Sequence, residues 1–258
     1  MSEIEERHRA ILTRAREDGK VQVSRLATDL DVAPETVRRD LRRLADRGLL
    51  QRVHGGAAPV ESAGYESDIP CRTRSMTAEK QRIAVSAAAL LEGASSVYVD
   101  EGITPRLVAK QIALGLSETT RLTIVTPSLL VAEAVGNTSN VTVLLLGGRV
   151  RGLSLATVDH WATRMLAGLV IDLAYLSTSG VSLAHGLTTS DPAVADLKNV
   201  VVTRARRRIC VGVHNKFGVS SFSRFADIVD FEALVTDTGL STVQAARYAA
   251  LGPRVVRA

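Results

Sequence analysis

The sequence predicts an α/β protein in two parts: a small, mainly helical N-terminal domain that ends in a β-wing, and a larger domain with a mostly parallel sheet. Residues 1–57 hold short helical segments and an arginine-rich helix, whereas β-like runs alternate with helical stretches across residues 77–258. Residues 58–76 are rich in proline, serine, glycine and charge and lack periodicity, which indicates a linker.

The first part opens with a helix predicted over residues 4–17. Its apolar residues recur at helical spacing: Ile4, Ile11, Leu12 and Ala15. Gly19 ends this pattern, and residues 21–23 form a short β-like segment. Ser24 is a suitable N-cap for a second helix, because its hydroxyl can accept a hydrogen bond from a free backbone N–H. A turn at residues 31–33 leads into a third helix.

This third helix is predicted to carry an arginine face. Pro34 suits the first turn of a helix, where its missing N–H would have had no partner. Val37, Leu41 and Leu44 recur at helical spacing and form an apolar stripe. At about 100° per residue, four arginines fall together on the neighbouring face: Arg38, Arg39, Arg42 and Arg43. An ordinary solvated face is the alternative for this helix taken alone.

A β-wing is predicted after the arginine helix. Gly48 can adopt the left-handed conformation that ends a helix, and residues 49–53 form a short apolar run compatible with a strand. Residues 54–56, His-Gly-Gly, supply the turn. Helix, short strand, helix, tight turn, helix and wing in this order make a winged helix-turn-helix.

A winged helix-turn-helix places its recognition helix in the major groove of double-stranded DNA and its wing along the backbone. Arginine suits both tasks, because its guanidinium group donates to guanine edges and to phosphates. The predicted partner is therefore a DNA operator. The candidate DNA-binding residues are Ser24, Pro34, Thr36, Arg38, Arg39, Arg42, Arg43, Arg52 and His54.

Composition agrees with a cytoplasmic DNA-binding protein. The chain of 258 residues has a formal net charge of +5, which favours a polyanionic partner. Its two cysteines, Cys71 and Cys210, are too few for a disulfide framework and suit a reducing compartment. The N-terminus is unlike a secretory signal, and no apolar run reaches the length of a membrane span. No metal or cofactor is expected, because His160 and His185 lack a second ligand at helical spacing.

The second part alternates strands and helices after a helix predicted over residues 77–91. β-like runs are predicted at residues 96–99, 122–125, 141–146, 173–176, 209–213 and 233–235. Helical stretches are predicted at residues 105–112, 129–135, 159–169, 193–206 and 242–250. This alternation predicts a mostly parallel sheet with helices on both faces, in which ligands bind at the carboxyl ends of the strands.

Polar, glycine-bearing loops recur at these predicted strand ends. Gly102 allows the backbone to approach a ligand closely, and Thr104 with the free N–H groups of the next helix can hold an anion. Taken alone, this loop is more typical of a plain helix N-cap. Several such loops in succession indicate a site for a small molecule. Its expected lining is Asp100, Gly102, Thr104, Gly147, Gly148 and Lys216.

These motifs resemble the DeoR/GlpR family of bacterial transcriptional regulators over nearly the whole chain. In the first part the resemblance rests on residues 36–41, Thr-Val-Arg-Arg-Asp-Leu, and on residues 52–56, Arg-Val-His-Gly-Gly. In the second part it rests on single residues and short runs: Arg72, Lys80, Ile83, Ala84, Asp100, Gly102, Thr104, Thr126, Gly147, Gly148, Asp172, Gly180, Gly186, Leu187, Lys198, Lys216, Phe217, Gly218, Thr236 and Asp237.

The resemblance implies a winged helix-turn-helix followed by an α/β sensor domain similar in fold to sugar-phosphate isomerases. It implies a DNA-binding regulator, usually a repressor of carbohydrate uptake or catabolism genes, that responds to a sugar phosphate. Lys198 joins the expected effector-binding residues on this ground. DNA readers of this size usually bind paired half-sites, so a homodimer or higher homo-oligomer is expected.

Five positions depart from the residues usual in the family. Ile103 stands where a threonine is usual, and Pro127 where an asparagine is usual. Asp159 replaces a glycine, and its carboxylate would repel a phosphate if it faced the site. Val194 and Val213 replace a glutamate and an aspartate. Removing polar partners from a buried anion site is costly, so the sensor has changed its ligand, lost phosphate affinity or moved its site.

An enzyme is the alternative function. An isomerase-like domain could turn over a sugar phosphate, with the DNA-binding module as a regulator or tether. Such catalysis needs a positioned carboxylate base, for which Asp100, Glu101 and Asp191 are candidates by position only. No catalytic residue is assigned, and the regulator is preferred.

Two other features carry alternatives. The cluster of Arg204, Arg206, Arg207 and Arg208 is expected at the solvated end of a helix, and the alternative is a second nucleic-acid patch. Trp161 is expected in the core or in a subunit interface rather than as a stacking platform.

Overall fold

The computed structural model describes residues 3–18, 20–46, 50–53, 55–59 and 69–258. The chain divides into two compact units, Met1–Thr77 and Ala78–Ala258. The expectations for four single residues and for part of the linker lie outside the described ranges: Gly19, Gly48, Leu49, His54 and residues 60–68. Within those ranges, every helix is too short or too polar to cross a membrane.

The first unit combines helices with a three-stranded antiparallel sheet. Its elements are α1 (Glu3–Asp18), β1 (Val21–Gln22), α2 (Val23–Asp29), α3 (Pro34–Asp46), β2 (Leu50–Val53), β3 (Gly56–Pro59) and α4 (Ile69–Arg74). The strand order is β1-β3-β2, so Ala57 of β3 lies between Val21 and Arg52. This element order is the predicted winged helix-turn-helix.

The core of the first unit is apolar and is formed by residues of α1, α2, α3 and the three strands. It contains Ile11, Ala15, Val21, Leu26, Ala27, Val37, Leu41, Leu44, Leu50 and Ala57, each at most 8% exposed. The apolar stripe predicted for α1 is wrong at one end, because Ile4 is 43% exposed.

The predicted N-cap of α2 is also wrong. Gln22 is the N-cap, without a side-chain bond, and Ser24 lies exposed in the first turn. The chain passes directly from strand to helix here, because Gln22 still pairs with β3 and the Val23 N–H donates to the Gly55 carbonyl at 3.0 Å.

The second unit begins with α5 (Thr77–Ala88) and then alternates strands with helices. Its first half contains β4 (Ser96–Val99), α6 (Ile103–Gly115), β5 (Leu122–Thr126), α7 (Leu129–Val135), β6 (Val141–Leu145), β7 (Arg149–Arg151), β8 (Ala156–Val158) and α8 (His160–Ala167). Its second half contains β9 (Ile171–Leu176), β10 (Gly180–Ser182), β11 (Gly186–Thr189), α9 (Pro192–Arg204), β12 (Ala205–Val211), β13 (Ser223–Ala226), β14 (Ala233–Thr236), α10 (Thr242–Ala249) and β15 (Arg254–Arg257).

Seven strands form one parallel sheet in the order β15-β14-β12-β9-β4-β5-β6. The six predicted strands all belong to it, which confirms the predicted parallel α/β architecture. The inner strands are buried along most of their length, as shown by Val97, Ile124, Leu173 and Ile209 at 0% exposure. Strands covered on both faces read as continuous apolar runs, which explains why the pattern finds them.

Two small antiparallel sheets complete the unit, one of β7 and β8 and one of β10, β11 and β13. Alternation of strand and helix does not predict them, because these strands of three or four residues pair antiparallel with one another outside the strand–helix alternation. The β7–β8 hairpin folds over the end of β5, where the Thr157 N–H donates to the Pro127 carbonyl at 2.8 Å.

The arginine cluster at the end of α9 continues into the sheet and makes hydrogen bonds within the protein. Only Arg204 lies in the helix, and the other three arginines lie in β12. Arg207 donates to both carboxylate oxygens of Glu232, at 2.7 and 3.0 Å, and Arg208 donates to three backbone carbonyl oxygens. The expected solvated helix end is therefore wrong for these two residues, whose guanidinium groups bind the protein itself.

Candidate DNA interface and effector site

Helix α3 exposes its arginines on the side opposite its buried stripe. Val37, Leu41 and Leu44 are buried in the core, at most 2% exposed. The side chains on the other face are exposed: Arg38, Arg39, Arg42 and Arg43. Arg38 Nη1 lies 3.0 Å from Glu35 Oε2, whereas no ion pair with a described residue engages the other three arginines. The helix therefore presents a positive surface.

The remaining candidate DNA contacts lie at the ends of these elements. Pro34 is exposed at the start of α3, and Thr36 is partly exposed in its first turn. Ser24 is exposed in the first turn of α2, and Arg52 is exposed on β2.

Asp40 faces inward from the arginine helix and is only 1% exposed. Its Oδ2 accepts a hydrogen bond from Nε of Arg7 at 2.6 Å, and its Oδ1 lies 3.1 Å from Nε2 of His8. Burial acts to raise the pKa of Asp40, but the hydrogen bonds and charges of Arg7 and His8 lower it below its usual value. This contact fastens α1 to α3.

Asp40 is not among the residues predicted from the sequence, although the sequence holds a signal for it. Asp40 stands three residues after Val37 and four before Leu44, so it belongs to the buried stripe of the helix. A carboxylate in such a stripe needs a cationic partner on a neighbouring element.

The wing depends on two adjacent glycines. Gly55 has a φ of +73°, in the left-handed region that glycine adopts without strain. Gly56 lies so close to β1 that a Cβ atom on it would stand 1.8 Å from the Val21 carbonyl oxygen. A glycine at residue 56 is therefore required for β3 to pair with β1.

The strand-end loops of the second unit lie at one edge of the sheet, because the parallel strands all run the same way. The loop at Gly102 follows β4, which is two strands from β6 and two strands from β12. Gly147 and Gly148 follow β6, and Lys216 follows β12. Two strand spacings are about 10 Å, so a small molecule placed over the end of β4 would lie within reach of long side chains from both flanks.

Asp100 and Lys198 form a buried ion pair at the centre of this edge. Lys198 Nζ lies 2.5 Å from Asp100 Oδ2, and the two side chains are 2% and 1% exposed. The ammonium group also donates to the carbonyl and hydroxyl oxygens of Ser177, at 2.9 and 3.0 Å. Ser177, which is not among the residues predicted from the sequence, donates its N–H to Asp100 at 2.8 Å. Its only sequence signal is its position directly after a predicted strand.

Helix α6 begins at this edge without a side-chain cap. Its N-cap is Gly102, with a φ of +112°, and no side chain of the described residues caps the helix. Thr104 lies in the first turn at 7% exposure, beside Ile103 at 8%. The neighbouring helix α7 differs, because the Ser128 hydroxyl caps it by accepting from the Val131 N–H at 3.3 Å.

The glycine loop after β6 contacts Asp159, the N-cap of α8. The Asp159 carboxylate accepts from the Arg149 N–H through Oδ2 and from the Trp161 N–H through Oδ1, both at 2.9 Å. The Arg149 N–H is the chief cause of a lowered pKa for Asp159. Gly148 has a φ of +136°, and a Cβ on it would stand 2.8 Å from Asp159 Oδ1.

Lys216 and its neighbours form the other flank. Lys216 is partly exposed as a residue, and burial of its ammonium group lowers the pKa of that group to about 8. His214 Nδ1 lies 2.6 Å from Asp237 Oδ2, and the His214 N–H donates to Asp237 Oδ1 at 2.7 Å. Burial acts to raise the pKa of Asp237, but the hydrogen bonds from His214 and Gly239 lower it overall.

Two of the three carboxylates considered as catalytic bases, Asp100 and Asp191, are paired with cationic side chains in the structure. Asp100 pairs with Lys198, and Asp191 caps α9 and accepts from Arg151 Nε at 2.9 Å. Trp161 is 57% exposed, so it is not a core residue of this chain, and its expected place in a subunit interface stays a prediction.

A DNA-binding winged helix joined to an α/β sensor defines a class of proteins, the ligand-responsive transcriptional regulators. The model of the DeoR-like helix-turn-helix domain matches residues 7–63, and that of the DeoR C terminal sensor domain matches residues 75–238. The chain belongs to the DeoR family and is a DNA-binding transcriptional regulator.

Its relatives are transcriptional regulators of bacteria and archaea. The uncharacterized HTH-type transcriptional regulator FruR of Bacillus subtilis is 31% identical over 240 residues, which cover 90% of each chain. GlpR of Haloferax volcanii is 31% identical over 237 residues, 90% of this chain and 89% of its own. The glycerol-3-phosphate regulon repressor of Escherichia coli is 29% identical over 232 residues, 90% of each. These relatives favour a regulator over the isomerase-like enzyme.

Among solved structures, the ribose 5-phosphate isomerase A of Methanocaldococcus jannaschii is similar to 54% of this chain and 53% of its own, with 12% identity and a TM-score of 0.39.

Proposed function

We propose that this DeoR-family regulator represses genes of carbohydrate uptake or catabolism by placing α3 in the major groove and the β2–β3 wing on the DNA backbone. The observation that carries the DNA contact is the exposed arginine face of α3, opposite a fully buried stripe. Arginines on such a helix can read guanine edges and hold phosphates. The name of the Escherichia coli relative supports the link to repression of a carbohydrate-related regulon.

A mobility-shift titration tests the DNA contact, with duplexes taken from upstream of this gene and its neighbours. Arg39→Ala and Arg43→Ala should each weaken binding by about 1–3 kcal/mol where the arginine reads a base. Arg247→Ala is the matched control, because Arg247 is an equally exposed arginine on α10, and it should leave the affinity unchanged. Unchanged affinity for both α3 variants would exclude this helix from the interface.

The proposed effector is a small carbohydrate-derived metabolite, bound over the end of β4. The uncapped start of α6 supports this, because its first N–H groups can donate to ligand oxygens while Gly102 keeps the approach open. Thr104 and the glycine loop after β6 flank one side, and Lys216 flanks the other. The Asp100–Lys198 pair serves this site by holding β4 to α9, since each charge already neutralises the other.

The effector acts on DNA binding through the arrangement of subunits. Two winged helices of a homodimer or higher homo-oligomer bind two half-sites, so their spacing must match the operator. An effector that favours one arrangement over the other changes DNA affinity by its coupling energy, about 1–3 kcal/mol.

A thermal-shift screen of sugars, polyols and sugar phosphates tests the location of the site. A compound that stabilises the full chain should stabilise Thr104→Ala and Lys216→Ala less, because each variant lacks one polar group of the site. Lys110→Ala is the control, because Lys110 is an exposed lysine on the same helix as Thr104. Equal stabilisation of the wild type and both site variants would show that the ligand binds elsewhere.

A further inference from the structure

The glycine loop after β6 already holds an anion that belongs to the protein. Backbone N–H groups at a loop and at the start of a helix together make a place for an anion such as phosphate. Here the Arg149 N–H, at the start of β7 directly after the loop, and the Trp161 N–H from α8 both donate to the carboxylate of Asp159. A phosphate at this loop would have to displace the carboxylate from both donors.

The backbone at Asp159 shows how firmly the carboxylate is held. Its φ of +121° and ψ of −174° lie in a region that is essentially restricted to glycine. A non-glycine residue keeps such a conformation only when its surroundings hold it there. The two N–H donors on the carboxylate supply that restraint.

Two cationic side chains near the strand ends are each paired with a carboxylate of the protein. Lys198 lies 2.5 Å from Asp100, and Arg151 Nε lies 2.9 Å from Asp191. A phosphate monoester would compete with a carboxylate at each of these cations. An uncharged ligand would disturb neither pair.

The exposed side chain of Trp161, two residues after Asp159, suits an uncharged ring. Trp161 and Met165 stand four residues apart on α8 and share one face of the helix, and Met165 Sδ accepts from the Gly147 N–H at 3.1 Å. The exposed Trp161 therefore stands on the helix face that meets the glycine loop. An aromatic face packs well against the C–H face of a sugar ring.

We propose that the effector of this chain is an uncharged polyhydroxy compound, a free sugar or polyol, whose hydroxyl groups donate to Asp159. This inference rests on the proposed function, because it concerns the ligand of the same site. It replaces the sugar phosphate expected from the sequence: Asp159 occupies the donors that a phosphate would need, whereas a carboxylate still has free lone pairs for hydroxyl donors.

The first test is calorimetric titration of the full chain with inorganic phosphate and with glucose 6-phosphate. Asp159→Gly frees both N–H donors and relaxes the backbone, so it should bind these anions about tenfold or more tightly than the wild type. Asp159→Asn is a second variant, which keeps an N-cap acceptor but loses the charge, and its affinity should lie between the two. Asp227→Gly is the control, because Asp227 also carries a carboxylate and is the N-cap of a short 3-10 helix, Ile228–Asp230.

The second test compares sugar phosphates with their dephosphorylated counterparts for binding to the wild type and for release of DNA. An uncharged compound should bind the wild type and lose about tenfold or more in affinity in Asp159→Asn and in Trp161→Ala. The inference is overturned if a phosphate monoester has the same affinity for the wild type as for Asp159→Gly. That result would leave the proposed function intact if the same compound releases DNA. If uncharged compounds bind with this pattern but leave DNA binding unchanged, the ligand class stands and the proposed gating fails.

Discussion

Replacing Asp40 by alanine should loosen the arginine helix from α1 without changing the exposed arginine face of that helix. The variant leaves Arg7 and His8 beside the core without their carboxylate, and removing one partner of a buried ion pair costs about 3–5 kcal/mol. Arg7 and His8 are 12% and 13% exposed, so water can reach them after the loss. The expected destabilisation therefore falls to about 2–3 kcal/mol.

Hydrogen exchange with mass spectrometry measures this effect in the full chain. Amides of α1 and α3 that exchange by opening of the first unit should exchange about 30 to 150 times faster in Asp40→Ala. Asp46→Ala is the matched control on the exposed end of the same helix, and it should change stability by less than about 0.5 kcal/mol. Equal exchange in Asp40→Ala and the wild type would refute the structural role of the contact. So would additive effects of Arg7→Ala and Asp40→Ala on the free energy of unfolding, because residues in contact are expected to be coupled.

The contact should also depend on pH in a defined direction. The pKa of Asp40 is lower in the folded chain than its ordinary value of 3.8. Its stabilisation is therefore fully present above that ordinary value and is lost as the pH falls through the folded value. The difference between the wild type and Asp40→Ala should shrink below pH about 4.

Three further predictions follow from contacts in the two units. Gly56→Ala should separate β3 from β1, because its Cβ would meet the Val21 carbonyl; faster exchange of the β1 amides and weaker DNA binding would be measured. Asp172→Asn should lower the free energy of unfolding at pH 7 by about 2 kcal/mol, measured by chemical denaturation. Burial acts to raise the pKa of Asp172, but four hydrogen bonds from Ser95 and Ser96 outweigh it and lower that pKa to about 2. That difference should vanish as the pH approaches 2, and a constant difference would contradict the assignment. Lys198→Met should destabilise the second unit by about 3–5 kcal/mol by leaving a carboxylate unpaired, and Asp100→Asn in the same chain should recover part of the loss.

Local sequence patterns predict the elements whose buried residues recur at a regular spacing or form a continuous run. The strand at residues 96–99 is found to the residue because it is buried on both faces and reads as an apolar run. Strand β15 carries an arginine at each end and reads as a charged tail. Its place in the sheet depends on pairing with β14, with Leu234 opposite Val255, which is a long-range contact that no local pattern records.

The candidate sites show the same limit. The exposure of Arg39 and Arg43 follows from the helical period once Val37 and Leu41 are buried. The partners of Asp40 and Asp100 do not follow from any period, because they lie 33 and up to 98 residues away in the chain. The strained Asp159 is visible in the sequence only as an unusual residue beside a glycine loop, and its hydrogen bonds explain why it stands there.

Selection of binding sites from a random duplex library tests most directly the claim that α3 reads DNA. The full chain should enrich a motif made of two half-sites about one helical turn apart or a multiple of that spacing. The triple variant Arg39→Ala, Arg42→Ala, Arg43→Ala should enrich no motif, while a variant with Arg247→Ala should enrich the same motif as the wild type. Recovery of an unchanged motif by the triple variant would contradict the account.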